Sequence, residues 1–252
     1  MTLRPALLLL AASLLAGCVT TGNVDPMKTA KGRDEARDAY TQLGMGYLQQ
    51  GSTENAKVPL RKALEIDPSS ADAHAALALV FQIEREPKLA DEHYRKAIAQ
   101  RSDDARLLNN YGSFLFEQGR YREAYERYLQ ASQDTLYPER SRVFMNLGLT
   151  ALQLKQREQA AAYFERSLRL NSRQPRALIE MAQMSYEDKQ YVPARGYYES
   201  YIALSQHDAR SLLLGTRLAK VFDDRNAAAS LGLQLKRLYP GTPEYQQYLS
   251  EQ

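Results

Sequence analysis

Few side chains in this 252-residue sequence are suited to covalent, acid-base or metal chemistry. There is one cysteine, Cys18, and no histidine pairs with another at the spacing typical of metal ligands. The histidines are His74, His93 and His207. The adjacent acids Asp103–Asp104 and Asp223–Asp224 fall at predicted helix junctions, where they are explained more simply as caps than as acid-base pairs. We therefore expect no enzyme, no metal site and no cofactor.

Cys18 is suited to one covalent role, the attachment of lipid. An apolar run, Ala6 to Leu15, follows Arg4; it has signal-peptide length and is too short to span a bilayer. Leu15-Ala16-Gly17-Cys18 matches the lipobox of bacterial lipoproteins, and this resemblance implies cleavage before Cys18, a diacylglyceryl group on its sulfur and acylation of the new amino group. Two or more acyl chains anchor stably, whereas one binds reversibly. The alternative is an ordinary signal peptide with an incidental cysteine.

The residues after Cys18 predict where the lipoprotein is sorted. In lipoproteins of this kind an aspartate after the cysteine indicates inner-membrane retention, and this chain has Val19. We expect an anchor in the outer membrane of a Gram-negative bacterium, with the protein facing the periplasm. Residues 1–17 are thus predicted as a signal peptide, and 18–32 as the lipidated cysteine with a flexible polar tether.

The composition is that of an ordinary globular protein and excludes several functions. Charged residues make up 25% of the chain, the hydrophobic set makes up 44%, and the formal net charge is +3. There is no tryptophan and no dense basic stripe with interleaved aromatic residues, so nucleic acid is not expected as a partner. No glycine-rich phosphate loop or nucleophile elbow is present, and no small-molecule substrate is indicated.

From residue 37 onward the sequence repeats itself, with successive spacings of 34, 34, 36, 34 and 34 residues. In the first copy Tyr40, Leu43, Gly44 and Tyr47 have the spacing of one helix face. This period resembles the tetratricopeptide repeat, a pair of antiparallel helices. The resemblance implies an all-α, right-handed superhelical solenoid over residues 33–242. Its six repeats are 37–70, 71–104, 105–140, 141–174, 175–208 and 209–242, and 243–252 form a capping segment.

Local signals support the helix pairs. A small residue at the eighth position and alanines at the twentieth and twenty-seventh let paired helices approach closely. Gly51 and Gly119 are predicted to end first helices in a left-handed conformation, and Pro68 and Pro240 to follow second helices. His74, Met181 and the tyrosines on these faces are expected in the core. Two extra residues around Leu136, Tyr137 and Pro138 interrupt the period before the fourth repeat.

The first helices of such a solenoid form its inner face, and their outward positions are unusually apolar here. We predict a partner-binding groove, since apolar residues at positions expected to face water mark interaction sites. Packing against neighbouring repeats is the alternative for each residue. The predicted groove residues are Met45, Leu48, Leu79, Ile83, Phe116, Met145, Leu149 and Leu152.

The second position of each repeat changes from acidic to basic along the chain. Asp38 and Asp72 are followed by four arginines that could form a polar edge of the groove and bind carboxylates or peptide carbonyls. Local ion pairs on a solvated face are the simpler explanation. The arginines are Arg106, Arg142, Arg176 and Arg210.

Three strings narrow the resemblance further: KGRDEARDAYTQLGMGYLQQG, LLNNYGSFLFEQGRYREAYERYLQAS and YPERSRVFMNLGL. They resemble the PilF/PilW-type lipoproteins of type IV pilus biogenesis, from about Lys31 to Pro240. The resemblance implies a pilotin, which binds the outer-membrane secretin of the pilus system and promotes its localisation and multimerisation. The alternative is a tetratricopeptide lipoprotein acting as a scaffold for outer-membrane protein assembly or peptidoglycan-synthase activation.

Overall fold

The computed structural model describes residues 25–251, and all regular structure in that range is helical. A short 3-10 helix at Pro26–Lys28 is followed by thirteen α-helices in the described chain. They are α1 (Ala30–Gln49), α2 (Thr53–Ile66), α3 (Ala71–Ile83), α4 (Pro87–Gln100), α5 (Ala105–Glu117), α6 (Tyr121–Ala131), α7 (Arg140–Gln153), α8 (Arg157–Leu170), α9 (Pro175–Glu187), α10 (Tyr191–Ile202), α11 (Ala209–Val221), α12 (Arg225–Leu238) and α13 (Pro243–Ser250).

The chain divides into two compact units within α4, the first ending at His93 and the second beginning at Tyr94. Short turns join the helices into hairpins, so α1 packs on α2 in the first unit, and α5 on α6, α7 on α8, α9 on α10 and α11 on α12 in the second. The predicted all-α class is confirmed. None of the helices between residues 25 and 251 combines the length and apolar character needed to cross a membrane.

Close packing within each hairpin depends on small residues. A Cβ atom added at Gly44 would lie 2.5 Å from Leu60 Cγ, and one added at Gly148 would lie 2.5 Å from Phe164 Cε1. Only glycine leaves room for these large side chains of the second helix. Nine of the ten residues at positions 20 and 27 of the first five repeats are small, and all nine are completely buried. They are Ala56, Ala63, Ala90, Ala97, Ala124, Ala131, Ala160, Ser167 and Ala194.

The turn inside each hairpin contains one left-handed residue at the fifteenth position of the repeat. Gly51 and Gly119 have φ of 75° and 71°, which confirms the prediction for these two glycines. The other four repeats place larger side chains in the same conformation, with φ between 54° and 63°, a feature that the sequence pattern did not reveal. These residues are Arg85, Lys155, Lys189 and Asp223.

Helix ends follow the predicted capping chemistry. Asp104 caps α5 by accepting a hydrogen bond from the Leu107 backbone N–H at 3.0 Å. Asp224 caps α12 by accepting one from Ala227 at 2.9 Å. Pro240 follows α12, and proline cannot continue a helix. The adjacent acids are therefore structural, as expected.

The start of the first hairpin differs from the prediction. The tether was expected to extend to residue 32, but α1 begins at Ala30. Thr29 explains the earlier start, because its hydroxyl oxygen accepts a hydrogen bond from the Gly32 backbone N–H at 2.9 Å and caps the helix. The predicted signal peptide, the predicted lipidation site Cys18 and most of the predicted tether lie outside the described residues.

Two histidines that are far apart in the sequence meet in the first unit, contrary to the expectation that none would pair. His74 is buried, as predicted, but its Nδ1 lies 2.9 Å from Nδ1 of His93. The sequence spacing gave no sign of this pair, because the two residues come from opposite helices of one hairpin. His74 Nε2 also lies 3.0 Å from the Pro68 carbonyl oxygen, so the pair ties α3 and α4 to the preceding turn.

The end of the described chain, within the predicted capping segment 243–252, forms the short helix α13. Tyr245 and Tyr248 of α13 pack against Leu212, Leu213 and Leu235 of the last hairpin. The two-residue insertion lies in the loop between α6 and α7, where Leu136 is 88% exposed.

Candidate partner-binding surface

In the first unit the predicted groove residues lie on the first helices and keep part of their surface accessible. Met45 and Leu48 on α1 are half-buried against a cluster formed by Leu60, Leu77, Val80 and two alanines. Leu79 on α3 is also half-buried. Ile83, the last residue of α3, is 58% exposed. These side chains are therefore partly buried and leave apolar surface accessible on the first helices.

In the second unit the predicted residues form one apolar stripe on α7 and one aromatic contact on α5. Met145, Leu149 and Leu152 are spaced four and three residues apart, and all three are half-buried against the cluster that contains Met181 and Met184. Phe116 on α5 is half-buried and meets the edge of the Tyr121 ring at a centroid distance of 5.2 Å. Each of these side chains thus packs on its neighbours and keeps part of its surface accessible, and their role in binding a partner stays a prediction.

A polar contact lies beside this stripe in the second unit. Asn146 on α7 donates a side-chain hydrogen bond to Asn109 on α5 at 3.1 Å, and Asn109 is buried. The contact joins the first helices of two successive repeats. It fixes the spacing between them, since a buried amide without a partner would be costly.

The four arginines predicted at the edge of the groove each lie within ion-pair distance of a carboxylate of the same chain. Arg106 lies 3.9 Å from Asp104, and Arg142 lies 3.3 Å from Glu139. These are exposed pairs, which contribute little to stability.

Arg176 and Arg210 share one carboxylate, Glu180. Arg176 reaches it at 3.0 Å along α9, and both terminal nitrogens of Arg210 reach it from α11 at 2.8 Å each. Glu180 is nearly fully buried, with a side-chain exposure of 5%. The sequence analysis missed this residue, although the four-residue step from Arg176 to Glu180 is a recognisable helical ion-pair spacing.

The described residues offer no site for metal chemistry. Between residues 25 and 251, no cluster of three or more histidine, cysteine, aspartate or glutamate side chains could hold a metal ion. Burial lowers the pKa of His207 and raises that of Tyr163 to about 12, so packing explains both pKa shifts. What the arrangement offers is apolar surface with polar neighbours, which suits protein binding.

Comparison with known proteins defines the class first. Tetratricopeptide-repeat family models match residues 44–82, 103–173 and 145–209. Together with the helical hairpins, these matches make the chain a tetratricopeptide-repeat protein, and the predicted solenoid class is confirmed. This is a class of repeat scaffolds that act by binding other proteins, not a class of enzymes.

Individual relatives then define the family. The chain is 68% identical over 251 residues to the type IV pilus assembly protein PilF of Pseudomonas aeruginosa, and the match covers all of both proteins. A solved structure of P. aeruginosa PilF matches with a TM-score of 0.85 and 69% identity, over 88% of this chain and 100% of that one. The structure of PilW, a widely conserved type IV pilus biogenesis factor, matches with a TM-score of 0.71 and 29% identity, over 84% of this chain and 98% of that one. The chain belongs to the PilF family, as its strings predicted.

Proposed function

We propose that this chain is a pilotin: an outer-membrane lipoprotein, anchored through Cys18, that binds the type IV pilus secretin and promotes its localisation and multimerisation. Membership of a family that includes a type IV pilus assembly protein supports a role in pilus assembly. The observation that carries the binding role is the accessible apolar surface of the first helices in both units.

The chemistry of an unassembled secretin subunit fits such a surface. A subunit exposes apolar strands and unpaired edges before its ring closes, and these features aggregate. Partly exposed Leu48 and Leu79 in the first unit can cover apolar side chains of a bound segment, and Leu149 and Leu152 in the second unit can do the same by themselves. Flexible Met45 and Met145 adapt to an irregular surface. The chain would hold a subunit until neighbouring subunits replace it.

The lipid anchor gives the second part of the mechanism. Acyl chains on Cys18 would confine bound subunits to the plane of the outer membrane. Confinement raises the effective concentration of subunits without any new contact between them. The lipid anchor would thus account for both the localisation and the multimerisation of the secretin. Cys18→Ala should leave secretin binding intact but reduce the amount of secretin multimer in the outer membrane. Normal amounts of secretin multimer in the outer membrane of that variant would contradict the anchoring role.

The binding surface is tested best at its most exposed residue. Ile83→Glu should reduce the secretin captured by the chain by about fivefold or more, since a charge in an apolar contact costs binding energy. Val58→Glu is the matched control, because Val58 is 63% exposed in the same unit but lies on a second helix. Circular dichroism checks that both variants fold.

A second pair of variants tests the other unit. Leu149→Asn makes the stripe on α7 polar while it keeps a side chain branched at Cγ, and Val192→Asn changes an exposed valine on α10. Full capture of secretin by folded Ile83→Glu and Leu149→Asn proteins would exclude the first-helix surface. The scaffold alternative predicts a different outcome: the same partners would co-purify from a strain that lacks the secretin.

A further inference from the structure

The last repeat holds one acidic residue of the same chain in a contact that resembles peptide recognition. Arg217 on α11 donates hydrogen bonds to both carboxylate oxygens of Glu251, from Nε at 3.1 Å and from Nη2. Lys220, one turn further along α11, donates to the main-chain carbonyl oxygen of Glu251 at 3.1 Å. The two cations thus contact one residue through its side chain and its backbone. A guanidinium fork on a carboxylate is a specific geometry for recognising acidic groups.

Arg217 and Lys220 occupy the ninth and twelfth positions of the sixth repeat. The same two positions hold Met45 and Leu48 in the first repeat, and Leu149 and Leu152 in the fourth. Glu251 therefore sits on the face that the proposed function assigns to a partner. In the sixth repeat this face is cationic.

Glu251 caps the C-terminal end of α13, where its backbone N–H donates to the Tyr248 carbonyl oxygen at 3.2 Å. It lies just after α13, and α13 is held on the last hairpin by Tyr245 and Tyr248. Arg217 keeps only 15% of its side-chain surface exposed, whereas the Glu251 side chain keeps 33%. The cation is built into the surface, and the carboxylate that covers it is the more accessible partner.

Charge effects around the contact agree with this geometry. The hydrogen bond from Arg217 lowers the pKa of Glu251, and the same bond raises the pKa of Arg217. Burial raises the pKa of Tyr186 on α9, and the charges of Arg217 and Glu251 also influence it.

We propose that Arg217 and Lys220 form a binding site for an acidic residue of a partner polypeptide, and that Glu251 occupies this site in cis until the partner displaces it. The inference rests on the proposed function only in taking the first-helix face as the binding face. Displacement leaves α13 in place, since Tyr245 and Tyr248, and not Glu251, pack it on the last hairpin. The ligand class is a segment with a glutamate or aspartate whose side chain and main-chain carbonyl both face the site.

The test uses the full chain and a labelled peptide with the sequence QQYLSEQ of residues 246–252. Its counterpart has glutamine in place of the glutamate. Fluorescence anisotropy at low salt should show that Glu251→Gln protein binds the acidic peptide about 3- to 10-fold more tightly than the unchanged protein, because the internal competitor has lost its charge. Adding Arg217→Gln should abolish this gain, and the glutamine peptide should not distinguish the proteins.

A matched control removes a carboxylate elsewhere in the same unit. Glu199 pairs with Arg195 on α10 at 3.7 Å, and Glu199→Gln should leave peptide binding unchanged. Equal affinity of the unchanged and Glu251→Gln proteins for the acidic peptide would overturn the proposal, as would equal affinity for the two peptides or no binding at all. The peptide assay contains no secretin, so a negative result leaves the pilotin proposal standing. Conversely, the secretin capture measured with Ile83→Glu does not bear on the proposal for Arg217 and Lys220.

Discussion

Arg210 on α11 holds the buried Glu180 of α9 through both of its terminal nitrogens, each at 2.8 Å. The contact joins the first helices of the fifth and sixth repeats. Two of the four arginines predicted at the edge of the groove, Arg176 and Arg210, are therefore bound to the protein's own carboxylate. Their main role in this structure is to neutralise a buried charge and to tie neighbouring repeats together.

Removal of Arg210 should accordingly destabilise the protein. We expect Arg210→Ala to lower the free energy of unfolding by about 2–4 kcal/mol, because Glu180 keeps only Arg176 as a cationic partner in a buried position. Urea denaturation measures the change. Arg142→Ala is the control, since its exposed pair with Glu139 should contribute less than about 1 kcal/mol. Equal effects of the two substitutions would contradict the assignment.

The sequence predicted the hairpin architecture well because the signals are local and recur with the repeat. Glycine at Gly44 and Gly148 and the alanines of the second helices mark close approach between helices. The contacts of His74 with His93 and of Arg210 with Glu180 could not be predicted in the same way. Both depend on the directions that packing gives to side chains on different helices, and no short-range spacing encodes those directions.

The left-handed position in each hairpin gives a second prediction. Lys155 and Lys189 adopt φ of 63° and 59°, where a Cβ atom crowds the backbone, and both side chains are exposed. Lys155→Gly and Lys189→Gly should each raise the free energy of unfolding by about 0.5–1 kcal/mol. The converse change, Gly119→Ala, should lower it by a similar amount. Thermal unfolding followed by circular dichroism checks the signs, and a loss of stability in both lysine variants would refute the strain argument.

Glycines inside the helices provide a third prediction, because two of them differ only in their surroundings. Gly148→Ala should destabilise the protein by about 1–3 kcal/mol, since the new Cβ would lie 2.5 Å from the Phe164 ring. Gly46→Ala should instead stabilise the protein by about 0.5–1 kcal/mol, because alanine favours the helix. The new Cβ would have no atom within 4 Å apart from its chain neighbours and the backbone of its own helix. Urea denaturation compares the two variants. The same sign for both would mean that close approach between helices does not explain Gly148.

The candidate surface was less predictable than the fold. The sequence identified Leu149 and Leu152 as residues on the exposed face of a first helix, because their positions in the repeat determine that face. It could not tell how much of each side chain the core covers, since that depends on Met181 and Met184 of the next repeat. It also gave no sign of Glu251 on Arg217, because this contact comes from a segment that follows the last repeat.

A pair of buried tyrosines gives the last prediction. Tyr128 and Tyr198 both occupy the twenty-fourth position of a repeat, and both are buried. The Tyr128 hydroxyl donates to Ser113 Oγ at 3.1 Å, whereas the Tyr198 hydroxyl lies against Gly215 without a hydrogen-bond partner among the described residues. Burial raises the pKa of Tyr128 to about 12 and that of Tyr198 further, so both hydroxyls are neutral at physiological pH.

The two hydroxyls should therefore respond to removal with opposite signs. Tyr198→Phe should raise the free energy of unfolding by about 0.5–2 kcal/mol, because a buried hydroxyl without a partner carries an uncompensated desolvation cost. Tyr128→Phe should lower it by about 0.5–1.5 kcal/mol, because Ser113 loses its donor. Chemical denaturation of the two variants under the same conditions gives the comparison. A loss of stability in Tyr198→Phe as large as that in Tyr128→Phe would show that a water molecule or a shifted side chain satisfies Tyr198 in solution.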